Sequence, residues 1–218
     1  MLDVHPPHHP AHTWRDFLIH IATIVIGLLI AIGLEQTVEY AHRRHILHQA
    51  ETDLRAETRD NRELLAKDEA QLQAARRQFS ANLQTLIALR AHSDTPASLS
   101  FNWHWSDMQS SAWATARDTG ALALMPYEDA QGFSMIYGQQ DIVNRQSGVY
   151  IADIYRTGSS LEDGSRTGSP LQSGKKLSGL RPAQIDALVA NTQQTLADIA
   201  HLRDLCRSLD SIYEQAAK

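Results

Sequence analysis

Eighteen consecutive residues, Phe17 to Leu34 ("FLIHIATIVIGLLIAIGL"), contain no Asp, Glu, Lys or Arg, and their only clearly polar side chains are His20 and Thr23. As a helix the run spans ~27 Å at 1.5 Å per residue, close to the ~30 Å hydrocarbon core of a bilayer. A core helix of a water-soluble protein carries a polar stripe, and this run has none. Trp14 and Arg15 precede it, and Tyr40, Arg43 and Arg44 follow. Aromatic and basic residues belong where the lipid headgroups begin. Residues 14–36 are therefore expected to be a transmembrane anchor, with those five as membrane-interface residues.

A cleaved export signal is the main competitor, because Ala31-Ile32-Gly33 has the small-x-small spacing of a cleavage site. The run is longer than the roughly 7–15 apolar residues of such a signal. The preceding "MLDVHPPHHPAHTWRD" carries one Arg and two Asp, a poor positive leader. A retained anchor is the better reading. One Arg before the run and two shortly after it give almost no orientation signal, since basic residues on the cytoplasmic side are what set it. A short leading tail is easily left in the cytosol, so the expectation is a single-pass protein of the bacterial inner membrane with its large domain in the periplasm.

Between Gly33 and Pro96 there is neither Gly nor Pro, and the segment is rich in Ala, Leu, Glu, Gln and Arg, all good helix formers. Glu39–Arg43, Glu51–Arg55 and Glu63–Lys67 place acid before base at the spacing that supports an exposed helix. Leu47, Ala50, Leu54, Asn61, Leu65, Asp68, Leu72, Ala75, Phe79, Leu83 and Leu86 follow a stripe near the 3.5-residue repeat, with polar interruptions. One helix is predicted from Trp14 to about His92, continuous with the anchor. Pro182 suits a first helical position. From there Ile185, Leu188, Thr192, Leu196, Ile199, Leu202, Cys206, Leu209 and Tyr213 step by three or four, again at coiled-coil periodicity.

A helical hairpin is expected between these two. Ser106 and Gln109 read as a capping box opening a short helix through Trp113, and Gly120 as its left-handed terminator. Pro126 opens the next helix, running to about Tyr155. No alternation of apolar and polar residues long enough for a half-buried strand is present. The predicted organisation is all-α. Residues 1–13 form a disordered His/Pro tail, and 14–36 the anchor. A long helix plus hairpin occupies 37–156, a Gly/Ser-rich loop 157–180, and the C-terminal helix of one elongated bundle 181–218.

Little in this pattern points to chemistry. The net charge of −5 gives no clustered basic face, so a nucleic-acid partner is not expected. The single Cys206 rules out an intramolecular disulfide and a multi-cysteine metal site. The tail places His5, His8, His9 and His12 among Pro6, Pro7 and Pro10, which fix no geometry around an ion. His42, His45 and His48 are rotated ~60° from one another on a helix and cannot converge on one metal. They read instead as a headgroup collar with Arg43 and Arg44. Ser173-x-x-Lys176 has the spacing of a serine–lysine nucleophile pair but no companion motif, and no "GxxxxGK[ST]" or "HExxH" is present. No pair of carboxylates stands in an evident context that would raise one pKa. Phe101, Trp103 and Trp105 of "FNWHW" are expected to cap the bundle end, or less simply to form a ligand platform. An enzyme is not expected, nor any cofactor or metal.

The order "W-R-D-F-L", then "I-V-I-G-L-L-I-A-I-G-L-E-Q", then a charged Ala-rich helix and "S-S-A-W-A-T-A-R-D-T-G-A-L-A-L-M-P-Y-E-D", resembles a family of uncharacterised bacterial single-pass membrane proteins. The resemblance covers residues 14 to about 155 and implies an N-terminal anchor followed by a helical domain, with no activity and no functional residue attached. Two function classes follow. One is a membrane-anchored interaction or scaffold protein that meets partners, or copies of itself through the long helix. The other is an extracytoplasmic small-ligand sensor signalling through a partner. The lipid bilayer is the one partner the residues name directly.

Overall fold

A computed structural model describes residues 14–91, 98–159, 175–177 and 180–216. The described chain is helical apart from one extended segment and a two-residue strand pair. Helix α1 spans Trp14–Ala91, α2 Ser111–Asp118, α3 Tyr127–Ser159 and α4 Pro182–Ala216, with a short 3₁₀ turn at Ala121–Leu124. Strands β1 (Ser98–Leu99) and β2 (Lys175–Lys176) pair antiparallel. The chain divides into two compact units, residues 1–49 and 50–218.

In the first unit the apolar run of α1 stands open to its surroundings. Ile24, Leu28, Leu29 and Ile30 are 58–67 % exposed, and no residue from Phe17 to Leu34 is buried. The few polar groups here turn back onto their own helix. His20 Nδ1 lies 2.9 Å from the Asp16 carbonyl, Thr23 Oγ1 donates to Ile19 O at 2.9 Å, and Thr37 Oγ1 to Gly33 O at 2.8 Å. Such internal satisfaction is what a helix without water around it requires.

The second unit is a bundle built on the rest of α1. Leu65, Leu72, Phe79 and Leu86 repeat every seven residues and form the apolar seam of α1. They meet Ile136, Val143, Tyr150 and Ile154 of α3 and Ile185, Leu188, Ile199, Leu202, Cys206, Leu209 and Tyr213 of α4 in one core. Ion pairs give the direction of α4. Arg62 binds Asp210 at 2.9 Å near one end, and Arg90 binds Asp186 at 3.0 Å near the other, so α4 runs antiparallel to α1. Thr157 facing Thr195 and Gln140 facing Tyr213 make α3 and α4 antiparallel as well.

A second seven-residue row on α1 is half polar: Leu54, Asn61, Asp68, Ala75, Asn82 and Leu89, all buried. Opposite it lies the extended segment 100–110, which has no secondary structure of its own and whose peptide groups must find partners elsewhere. Asparagine supplies them in three repeated units. Asn82 donates to Ser100 O at 2.6 Å and accepts from Ser100 N–H at 3.2 Å. Asn61 does the same with Gln109, at 2.7 and 2.9 Å. From α3, Asn144 does so with Met108, at 3.0 and 3.2 Å. Asp68 Oδ2 accepts from Ser106 N–H, and Gln78 donates to Ser100 O. The polar interruptions of the stripe are thus a docking track for this strap, antiparallel to α1.

Several sequence expectations are corrected by this arrangement. The hairpin helix opens at Ser111, not Ser106, because the N–H groups of Ser106 and Gln109 are taken by Asp68 and Asn61 and cannot start a helix. Phe101, Trp103 and Trp105 do not cap the bundle end. Phe101 packs edge-on against Phe79 at 5.9 Å and Trp103 against Tyr155 at 6.0 Å, so the aromatics lie along the bundle's flank. Helix α3 runs on to Ser159, shortening the expected loop, and β2 interrupts it with a strand pairing where none was expected. Asn82 and Thr195 take the buried positions expected for Leu83 and Leu196. Of the three acid–base pairs only Glu39–Arg43 closes, at 2.7 Å. Gly120 does end the α2 turn left-handed, at φ +74°. The tail of residues 1–13, Ser173 and most of the 157–180 loop lie outside the described residues.

Removing one asparagine leaves a part-buried N–H and C=O of the strap without their protein partners, at about 1 kcal/mol each. Asn61→Ala is therefore expected to destabilise the bundle by about 2 kcal/mol, whereas Gln131→Ala on the exposed surface of α3 should change little. Denaturant unfolding followed by circular dichroism measures both; equal midpoints for the two variants would contradict the docking-track role of Asn61.

Candidate functional site

Three places in the described residues concentrate polar or charged groups: the headgroup-type residues of the first unit, a carboxylate node and acid pair inside the bundle, and one cleft on its surface.

The five expected interface residues all lie on the open surface of α1. Trp14 is stacked on Phe17 at 5.4 Å, Arg44 sits over the Tyr40 ring at 5.9 Å, and Arg43 is paired with Glu39. Trp14 and Arg44 are 30 residues apart on one helix, ~45 Å at 1.5 Å per residue. That matches the roughly 40–45 Å thickness of a bilayer with its headgroups. His42, His45 and His48 are exposed on the same helix, and no cluster of three or more His, Cys, Asp or Glu able to hold a metal occurs among the described residues.

Inside the bundle, Glu57 of α1 does the work that the expected capping box was to do. Its Oε2 accepts from Ser111 Oγ at 2.6 Å and Ala112 N–H at 3.0 Å, and its Oε1 from Tyr137 OH at 2.8 Å. The N-terminus of α2 is thus capped from another helix, its own Ser110 making no side-chain cap. Burial pushes the Glu57 carboxyl up, but these donors and the Trp113 N–H outweigh it and hold its pKa below the usual range. Trp113 stacks on Tyr137 at 5.2 Å, closing the node. Burial pushes the Cys206 thiol up to about 12, so the one cysteine stays protonated and unreactive.

The sequence expectation that no carboxylate pair has a raised pKa is overturned. Asp153 of α3 and Asp198 of α4 are 4 % and 7 % exposed and face each other across the helix interface. Burial first, then the hydrogen bond and the charge of Asp153, push Asp198 up to about 6. The signal was present in the sequence: Asp198 sits between Thr195 and Ile199 on the stripe of α4, and Asp153 between Tyr150 and Thr157 on that of α3. Without the antiparallel register, nothing placed the two acids together.

The cleft, about 450 Å³, is lined by Arg55, Arg59 and Arg62 of α1, by Phe133 and Ile136 of α3 and by Tyr213 of α4. Arg62 is held by Asp210 and Glu214, and Arg59 by Asp60. Glu128 and Asp129 also line it, so the walls carry both signs of charge around an apolar floor. Neither acid of the buried pair opens into it. Compared with protein families, with curated proteins and with solved structures, the chain matches none.

Glu57→Ala is expected to cost about 1–2 kcal/mol at neutral pH, as a lost cap with buried donors left behind. Because the folded-state pKa is lowered, the stabilisation from Glu57 is present above the ordinary glutamate value and lost as pH falls through the lowered one. The difference between wild type and variant in urea unfolding should therefore narrow between about pH 7 and pH 3. A constant difference across that range would exclude the charged carboxylate as the cap.

Proposed function

We propose that this chain is a single-pass protein of the bacterial inner membrane whose helical bundle stands in the periplasm and serves as an interaction scaffold, without catalytic activity. The observation that carries the reading is the wholly exposed, charge-free run Phe17–Leu34, set between Trp14 at one end and Tyr40, Arg43 and Arg44 at the other. So much apolar surface is intolerable in water and matched by lipid. The interaction role is supported by a second exposed row: Met135, Ile142 and Val149 of α3 are seven residues apart and 41–51 % exposed. Isolated exposed apolar residues are ordinary, whereas a row at heptad spacing is what a partner helix reads.

A second copy is the partner the anchor itself favours. Gly27 and Ala31 form a small-xxx-small pair, and a Cβ added at Gly27 would meet nothing in its own chain. On the long helix beyond the anchor, Leu54 is buried within its own bundle and is not available to a second copy. The mixed-charge cleft favours a second reading, a sensor of small polar ligands with an apolar portion, in which the bundle passes its signal to a partner.

The expected outcome in cells is that the full chain resists carbonate extraction and keeps residues 14–34. Fused after Lys218, alkaline phosphatase is expected to be active and green fluorescent protein dark. A fluorescent, phosphatase-inactive pair would reverse the orientation, and carbonate extraction of the chain would remove the anchor altogether. Gly27→Leu is expected to weaken chemical cross-linking of the full chain in membranes by several-fold while leaving its insertion unchanged; undiminished cross-linking would rule out pairing through that face.

A further inference from the structure

Asp153 and Asp198 play no part in the scaffold reading, yet both are buried and they face each other between α3 and α4. Asp198 Oδ1 accepts from Gln194 Nε2 at 3.2 Å and Asp153 Oδ1 is held by Arg156, while Asp198 Oδ2 is buried without a hydrogen bond from any protein donor. A carboxylate only accepts, so an ionised Asp198 facing an ionised Asp153 leaves Asp198 Oδ2 unserved. One proton between them serves both, as donor to one oxygen and covalent partner of the other.

No neighbouring protein donor reaches Asp198 Oδ2. Thr157 Oγ1 is spent on the Asp153 carbonyl at 2.8 Å and Thr195 Oγ1 on the Asn191 carbonyl at 3.0 Å, with the two hydroxyls 3.5 Å apart. Arg156 of α3 forms an ion pair with Asp153 and offsets one negative charge. The charged groups acting on Asp198 are Asp153 and Arg156, both on α3; α1 and the strap add none. With both acids ionised, one unbalanced negative charge remains between α3 and α4, where burial makes it costly.

We propose that Asp153 and Asp198 form a one-proton switch, in which a single shared proton locks the last turns of α3 onto α4 and its loss loosens that contact. The step is a simple ionisation: the proton leaves the pair for solvent, and no other bond changes. The affected stretch is Tyr150–Thr157 against Thr192–Leu202. The distal core on α4, from Cys206 to Tyr213, contains no member of the pair and stays packed.

The sign follows from the direction of the Asp198 shift. Stability from the shared proton is fully present below the ordinary aspartate range and is lost as pH rises through about 6. This resembles the shared proton of aspartic-protease dyads in its physics, without an accessible cleft to use it. The membrane-embedded full chain, in nanodiscs, is the material for the test. Amide hydrogen exchange would be compared at about pH 5 and about pH 8, after correction for the intrinsic pH dependence of exchange, in wild type, Asp198→Asn and Asp153→Asn.

The expected result is a roughly 10- to 100-fold loss of protection in 150–157 and 192–202 of the wild type at the higher pH, as the distance from 3.8 to about 6 implies. The asparagine variants should show no such loss, because an amide donates the hydrogen bond at every pH. If either variant fails to fold, carbon-13 titration of labelled aspartates in the wild type decides. A carboxyl that titrates near pH 6 upholds the switch. Two carboxyls titrating in the ordinary range, or equal protection at both pH values, would overturn it.

Discussion

Eleven residues of strap without helix or sheet lie against the bundle with Phe101 and Met108 buried, and the peptide groups turned inward are a demand that the rest of the bundle is arranged to meet. A buried N–H or C=O without a partner costs about as much as the loss of a core side chain's methyl groups. The answer is a two-faced α1. One row of its heptad pattern carries Leu65, Leu72, Phe79 and Leu86 for the core. The other carries Asn61, Asp68 and Asn82 for the strap, with Gln78 and Glu57 beside it. Asparagine suits this task because its amide offers donor and acceptor side by side, the same pair a neighbouring strand would offer. α1 thus plays the part of a sheet edge toward residue 100, residue 108's neighbour Gln109 and the turn into α2.

The same logic explains which parts were legible in the sequence. The boundaries of α1 and α4 follow from local signals: absence of Gly and Pro, steady 3.5 periodicity, and Pro182 with Gln184 Oε1 reaching back to the Arg181 N–H at 3.0 Å. The strap was not legible, since Ser106-x-x-Gln109 has the form of a capping box and its donors were claimed by residues some 40 to 50 positions earlier. No local signal marks Glu57, and only the fold reveals it as the cap of α2. The acid pair was hidden for a related reason, as 45 residues separate Asp153 from Asp198 in the chain. Local periodicity carries no information about register between helices, and both missed features are matters of register.

Polar groups cross the interior at a third level, where Gln140 of α3 donates to Tyr213 OH at 2.5 Å and that hydroxyl points on to Met108 Sδ at 3.9 Å. Strap, α3 and α4 are thereby fixed at one height by a single phenol, which burial pushes up to about 12 and so keeps protonated. Together with the Glu57 node and the asparagine units, this gives the bundle a series of discrete polar registers along an otherwise apolar core. A uniformly apolar core of the same helices could slide by a turn at little cost, and these registers forbid it.

Chain separation along the docking track carries a consequence for synthesis. Asn82 and Ser100 are 18 residues apart and Asn61 and Gln109 are 48 apart, whereas Arg62 and Asp210 are separated by 148. Contacts between near neighbours close with less loss of chain entropy and sooner. As the chain leaves the ribosome, α1 can therefore cover its polar row with the strap long before α4 exists. The apolar row of Leu65, Leu72, Phe79 and Leu86 is covered in part by Phe101 and α3 and completed only when the thirty-five residues of α4 arrive. The nascent chain's period of greatest exposure to aggregation, or to a chaperone, thus falls between the emergence of residue 110 and that of residue 216.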